Sequence, residues 1–327
     1  MKKIMPYAAL LLAAACRNAA GPSQGEGPGG PAVVWFNGLS ATIDAYYTEA
    51  DSLVTGAWYT GSSPNHMVSI GGGRFAVLSS LDAELRVTGT AETGSWETTA
   101  LLPQGTNPYS MAVSGDTAWV SLLLADSVVR VSLTTGEVSG GFSTRNNPSG
   151  IACSGDLVFV SYSNWPETSS PGGVSVFRSD TGEETRWLNT GVNTHWLAMQ
   201  PSGNLHCYST TYQNDGAITV LNAQPPYLEI SSFMCGGAPG EAVLANGSFI
   251  SPDGWGEGGL IVYDEAGNWE RIELDTACVG LAFHGGKIYA TSFGENRVYV
   301  LDPETFETTL WMQSGGEGPQ GIVAVDP

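Results

Sequence analysis

Two sets of residues in this 327-residue chain have the types and spacing to hold a ligand. The first sits in short loops rich in Gly, Pro and Asn. SNWPETSSPGG (163–173) carries Trp165 and Glu167, TYQNDG (211–216) carries Tyr212, Asn214 and Asp215, and PDGWGEGG (252–259) carries Asp253, Trp255 and Glu257. Each places an aromatic beside an acid, and GEN (294–296) adds Glu295. Flat rings with planar hydrogen-bonding neighbours suit sugars, and a ring face attracts cations through its quadrupole. The second set lies in polar lead-ins before short apolar runs. It includes Asn65, His66, Asn107, Tyr109, Arg145, Asn147, Asn193, His195, Trp196, Glu241, Glu317 and Gln320. Carboxylate, Asn and His side chains converging on one point can chelate a divalent cation that activates water. Glu241, Asn193, His195 and Glu317 would suit such a metal site, although their spacing does not demand one. The plainer readings are that Asn-Pro makes a turn, that a loop histidine is solvated, and that each Trp covers its own loop.

Other chemical signals are weak. GPSQG (21–25) matches a nucleophile-elbow pattern without a strand-turn-helix context. Three G-x-G-x-x-G matches precede no helix of a βαβ unit and record only the abundance of Gly, of which there are 43. No HExxH or calcium-loop motif occurs. Cys153, Cys207, Cys235 and Cys278 show no zinc spacing and read as small buried residues, with no pairing assigned. The formal net charge of -20 would repel phosphates, so a nucleic-acid partner is excluded. A cationic partner, or a divalent cation as cofactor, is compatible with that charge.

MKKIMPYAALLLAAAC begins with two lysines, continues through an apolar run and ends in small residues before Cys16. This is the pattern of a secretory signal peptide over residues 1–15, too short to span a membrane as a helix. It resembles the bacterial lipoprotein signal, which implies lipidation of Cys16. Residues 16–31 are Gly, Pro and small polar residues that cannot build a core, so they read as a tether. The expected location is the extracytoplasmic cell envelope, with the body held near a membrane only through the lipid.

The elements that must position the candidate residues come from a repeat. Lead-ins recur at Pro64, Pro108, Pro148, Thr194, Pro239, Cys278 and Pro319, at steps of 44, 40, 46, 45, 39 and 41 residues. A period in the forties with four strands per unit is the signature of a propeller blade. Each unit reads as an apolar strand A, a strand B after a Gly turn, an alternating strand C and a polar outer strand D. The last unit has only strand A, while AVVWFNG, ATIDAYYTEA and DSLVTGAWY before the first anchor read as B, C and D. The expected fold over residues 32–327 is therefore an all-β, seven-bladed β-propeller of four-stranded blades. Its ring closes by pairing the C-terminal strand with the N-terminal strands. The D–A and B–C loops then share one face, where both candidate sets lie.

KIYATSFGENRVYVLDPETFE (287–307) is similar to the YVTN-type propeller repeat, in which strand C ends in V-x-D-P-x-T. Weaker copies are LVFVSYSN and AWVSLLLADSVVRVSLTTGEV. The resemblance implies a seven-bladed, extracytoplasmic protein with a binding role more than a reaction. The expected activity is capture of a protein or small molecule, a carbohydrate among the candidates, by a monomeric body. A metal-dependent lactonase or lyase at the channel mouth and a structural component of an envelope assembly are the alternatives.

Overall fold

A computed structural model describes residues 32–89, 94–163 and 171–326. Its strands form seven antiparallel sheets of four strands each. Six sheets run in sequence order from the anchors, and the seventh joins the two ends of the chain. We number the anchored blades 1 to 6 and the joined blade 7.

Blade 6 shows why the sequence folds this way. Gly285 and Gly286 take positive φ and turn strand A (Gly280–His284) into strand B (Lys287–Ser292). Strand B, after its first residue, is buried throughout, because neighbouring blades cover both of its faces. Strand D (Thr308–Gln313) exposes all but one residue, Leu310 and Trp311 among them, and the guanidinium of Arg297 lies over the Trp311 ring. Asp302 accepts the backbone N–H groups of Glu304 and Thr305, closing the D-P-x-T turn between C and D. The cores lie between blades. Leu78 and Leu85 of blade 1, for example, pack with Met111 and Val120 of blade 2.

Ring closure is explicit. Strand A of blade 7 (Pro319–Val325) pairs antiparallel with Ala32–Asn37, with Ala32 opposite Val325 and Val34 opposite Val323. Thr42–Tyr47 and Ser52–Tyr59 complete the sheet as C and D. Fully buried Trp35 donates its indole N–H to Ser314 Oγ at 3.0 Å. The buried carboxylate of Asp44 accepts from Asn37 Nδ2 at 3.1 Å, Ser314 Oγ at 2.8 Å, and the N–H groups of Gly315 and Gly56 at 2.8 and 2.7 Å. Donors from both ends of the chain thus surround one buried charge, as an unpaired carboxylate away from water requires.

Cys153, Cys207, Cys235 and Cys278 are free thiols. Burial pushes Cys235 and Cys278 up to about 12, so they stay protonated and inert.

Candidate functional site

The innermost strands surround a central cavity of about 680 Å³. Its depth is apolar, with Val68, Val243, Leu281, Phe283 and Ile322 on the wall. At the face formed by the D–A and B–C loops the lining changes to Tyr109, His66, Trp196, Glu241 and Gln320, with Tyr212 and Trp255 at the rim.

The repeat explains how these side chains meet. Two residues after the anchors stand His66, Ser110, Gly150, Trp196, Glu241, Gly280 and Gly321. Three of these are large and the other four are Ser or Gly. Register shifts between Pro64 and His66 and between Thr194 and Trp196 break the ladder at this position and re-aim the side chain. Gly150 and Gly280 admit no Cβ: one would fall 2.8 Å from the Leu197 nitrogen, the other 2.3 Å from the Gln320 oxygen. The missing Cβ at Gly150 and Gly280 thus lets the backbone of the neighbouring blade approach, while His66, Trp196 and Glu241 supply the large side chains at this position. The residues just before the anchors serve the turn. Asn107, Asn147 and Asn193 take left-handed φ of 49°, 56° and 53°. Asn193 is buried and donates to the Thr210 carbonyl.

Trp196 reaches past blade 3. Its ring stacks on Tyr109 of blade 2 at 5.4 Å and 29°, and lies 5.5 Å from the ring of His66 on blade 1. His66 Nδ1 accepts the Met111 N–H at 3.1 Å, which leaves Nε2 directed at Glu241 Oε2, 3.5 Å away. Glu241 is half exposed. The result is an aromatic floor with a carboxylate beside it, at the top of an apolar shaft. Such a floor can stack a planar group and the carboxylate can hold a cation.

His195 also lines the cavity. It is buried, its ring lies 5.9 Å from Tyr212, and its Nδ1 has no hydrogen-bond partner among the described residues. Burial pushes its pKa down to about 4, so the imidazole is neutral at physiological pH. An unfolded histidine titrates near about 6.5. The unfolded chain therefore takes the proton first as pH falls. The stability tied to neutral His195 is full above about 6.5 and is lost between there and about 4, by at most roughly 3 kcal/mol. His206, also pushed down by burial, adds a slope of the same sign. His195→Gln should flatten the wild-type curve of urea-unfolding free energy against pH within that window. Equal slopes would show that solvent reaches Nδ1 in the folded protein.

The loop residues divide. Trp165 and Glu167 lie outside the described residues, as does Cys16. Tyr212 is exposed and lines the cavity. Asp215 caps its own loop, accepting from the Thr211 N–H at 2.8 Å and from the Thr211 hydroxyl. Asp253 does not face the cavity. It is fully buried, 2.5 Å from Arg271 Nη1, and accepts the N–H groups of Ala238 and Glu257. Its charge anchors the loop that carries Trp255. Trp255 is half exposed, lines the cavity and packs on Phe293 at 5.2 Å, so it does not fold down over its own loop. Glu257 is exposed, 3.7 Å from Arg271 Nε. Among the described residues no group of three or more His, Cys, Asp and Glu side chains could hold a metal ion. Tyr109, read from sequence only as one of the lead-in residues around the mouth, becomes central to the site. Its signal was its place one residue after an anchor, next to the position that supplies His66, Trp196 and Glu241.

The fold and this mouth define the chain as a seven-bladed β-propeller with an axial cavity. No family model matches it, and no curated protein matches it. Among solved structures it is similar to a functionally unknown protein from Desulfotomaculum acetoxidans, at 12% identity and TM-score 0.73, covering 90% of this chain and 99% of that one. It is similar to virginiamycin B lyase from Staphylococcus aureus, at 15% identity and TM-score 0.63, covering 80% and 91%. It is also similar to a chain of a nidogen/laminin complex, at 14% identity and TM-score 0.56, covering 90% and 98%. At such identities the likeness shows the fold alone.

Proposed function

We propose that this propeller is a binding module that takes a small ring-bearing organic cation at its channel mouth. The carrying observation is the Tyr109–Trp196–His66 floor with Glu241 beside it. A cationic group would sit against the carboxylate while its ring stacks in the aromatic floor, both partly out of water, where cation–π attraction is worth about 2 kcal/mol. The chain's charge of -20 would draw such a ligand in. Solved propellers of this shape include a lyase and a member of a protein complex, so the fold is compatible with small-molecule and protein partners alike.

We place the module outside the cytoplasm, tethered by residues 16–31 to a lipid on Cys16. The signal-like start supports this. Ala32 enters beside Val325, while Asn37, at the far end of the same strand, leads to the loops of the mouth. The mouth therefore faces away from the tethered end.

A second reading, a metal-dependent lactonase or lyase, is favoured only by the proximity of His66 and Glu241. A thermal-shift screen of organic amines, saccharides and divalent metal salts separates the readings. A ring-bearing amine should raise the Tm, and its affinity should fall about tenfold in Glu241→Gln. A saccharide that binds Glu241→Gln as well as wild type would replace the cation reading with a sugar site. A shift given by a metal salt alone, and lost in Glu241→Gln, would favour the enzyme.

A further inference from the structure

An apolar arc lies on the mouth face beside the cavity. Trp255 of blade 5 packs on Phe293 of blade 6 with ring centroids 5.2 Å apart. Phe293 and Leu39 of blade 7 both close over Gly318. A Cβ at that glycine would fall 2.6 Å from Phe293 Cε2 and 3.0 Å from Leu39 Cγ, and its φ of +69° already selects glycine. Three consecutive B–C loops thus form one continuous surface, on which Trp255 is 50% and Leu39 53% exposed. Large apolar side chains that touch each other in water mark an interaction site more often than scattered ones do.

The arc is edged by acids. Glu257 shares the loop of Trp255, Glu295 that of Phe293, and Glu317 lies against Leu39, whose N–H donates to the Glu317 carbonyl. All three carboxylates are exposed. The nearby cations are already engaged. Arg271 is held chiefly by Asp253 and by the Gly258 and Cys235 carbonyls, and its Nε lies 3.7 Å from Glu257. Arg297 stacks on Trp311 at 4.2 Å and lies 3.7 Å from Glu295. No cation lies within ion-pair distance of Glu317 among the described residues. Blades 1 and 2 repeat the pattern, with exposed Leu81 before Asp82 and exposed Leu124 two residues before Asp126.

From this complementarity we infer that the arc docks a basic, apolar peptide segment of a partner protein, in which Lys or Arg residues alternate with large apolar ones. The apolar side chains would cover Trp255, Phe293 and Leu39, and the cations would meet Glu257 and Glu317. Acids at the rim would repel anionic lipid headgroups, so a membrane fits this face less well. The inference rests on the mouth face being the working face, but it uses residues of the rim. Leu39, Phe293 and Glu317 do not line the cavity.

The test uses the full chain and two short fluorescein-labelled peptides, one alternating Lys with Leu and Phe, the other alternating Glu with the same residues. Anisotropy should show that the basic peptide binds, that the acidic one does not, and that binding weakens with added salt. Leu39→Ser and the double variant Glu257→Lys/Glu317→Lys should each weaken it about tenfold, while Glu229→Gln, exposed on the outer strand of blade 4, should leave it unchanged. Urea curves matching wild type would verify that these exposed positions do not perturb the fold. Binding that ignores peptide charge, no binding of either peptide, or arc variants that bind like wild type would overturn the inference. So would a dimer that Leu39→Ser dissociates, or binding to phosphatidylcholine vesicles that Leu39→Ser abolishes. Loss of the arc with an intact amine response at Glu241 would leave the channel-mouth reading standing.

Discussion

Arg271→Ala should lower the free energy of unfolding by about 3–5 kcal/mol, the range found when one partner of a buried ion pair is removed. Asp253 has no exposed surface, so its carboxylate would lose its only ion-pair partner among the described residues while held away from water. The guanidinium also donates to the Gly258 carbonyl at 3.0 Å and the Cys235 carbonyl at 2.9 Å. It therefore fastens strand D of blade 5 (Trp269–Ile272) to two loops of the mouth. The effect should appear in urea unfolding followed by tryptophan fluorescence. Asp253→Asn should cost less, because the amide keeps the shape and one acceptor for the Ala238 and Glu257 N–H groups. A loss below about 1 kcal/mol for Arg271→Ala would mean that the carboxylate reaches water and that the Trp255 loop is held by other contacts.

Ending the chain after Gly318 should abolish cooperative unfolding. The deletion removes strand A of blade 7 and bares the hydrogen-bonding edge of Ala32–Asn37. It uncovers Trp35, Val33 and Val34, which are buried now. It also removes the Gln320 carbonyl that accepts from Thr291 Oγ1 at 2.6 Å. Losing buried Ile322 and Val325 costs about 1.5–3 kcal/mol each, and each ladder bond about 1 kcal/mol. Together these approach the whole stability of a typical folded protein, about 5–15 kcal/mol. Near-ultraviolet circular dichroism should show fixed aromatic packing lost, and a synthetic peptide of residues 319–327 should restore it. A truncated chain with the wild-type transition would show that the ring does not depend on its joint.

The fold was legible because a propeller writes itself seven times. Turn residues recur at fixed offsets, and Gly285-Gly286, Asp302-Pro303 and the lead-in prolines each locate a strand end. Even the closing joint could be read, because the surplus strands before Pro64 match the deficit after Pro319. The site was only half legible. His66, Trp196 and Glu241 were readable as lead-in residues, and the repeat places all three at one position. That Trp196 crosses over blade 3 to reach Tyr109 is a contact between units that no single repeat contains. Asp253 shows the opposite limit. Beside Trp255 in a Gly-rich loop it read as a ligand group, but its partner Arg271 lies on strand D, beyond the loop's own sequence. The arc depends on Trp255, Phe293 and Leu39, far apart in the chain and joined only by the ring.

The proposed mouth site holds a cation between Trp196 and Glu241. Isothermal titration with benzyltrimethylammonium tests it most directly, run on wild type, Glu241→Gln and Trp196→Ala. Saturable binding to wild type is expected, about tenfold weaker in Glu241→Gln and lost in Trp196→Ala. Equal affinities in all three proteins, or no heat with wild type, would contradict it.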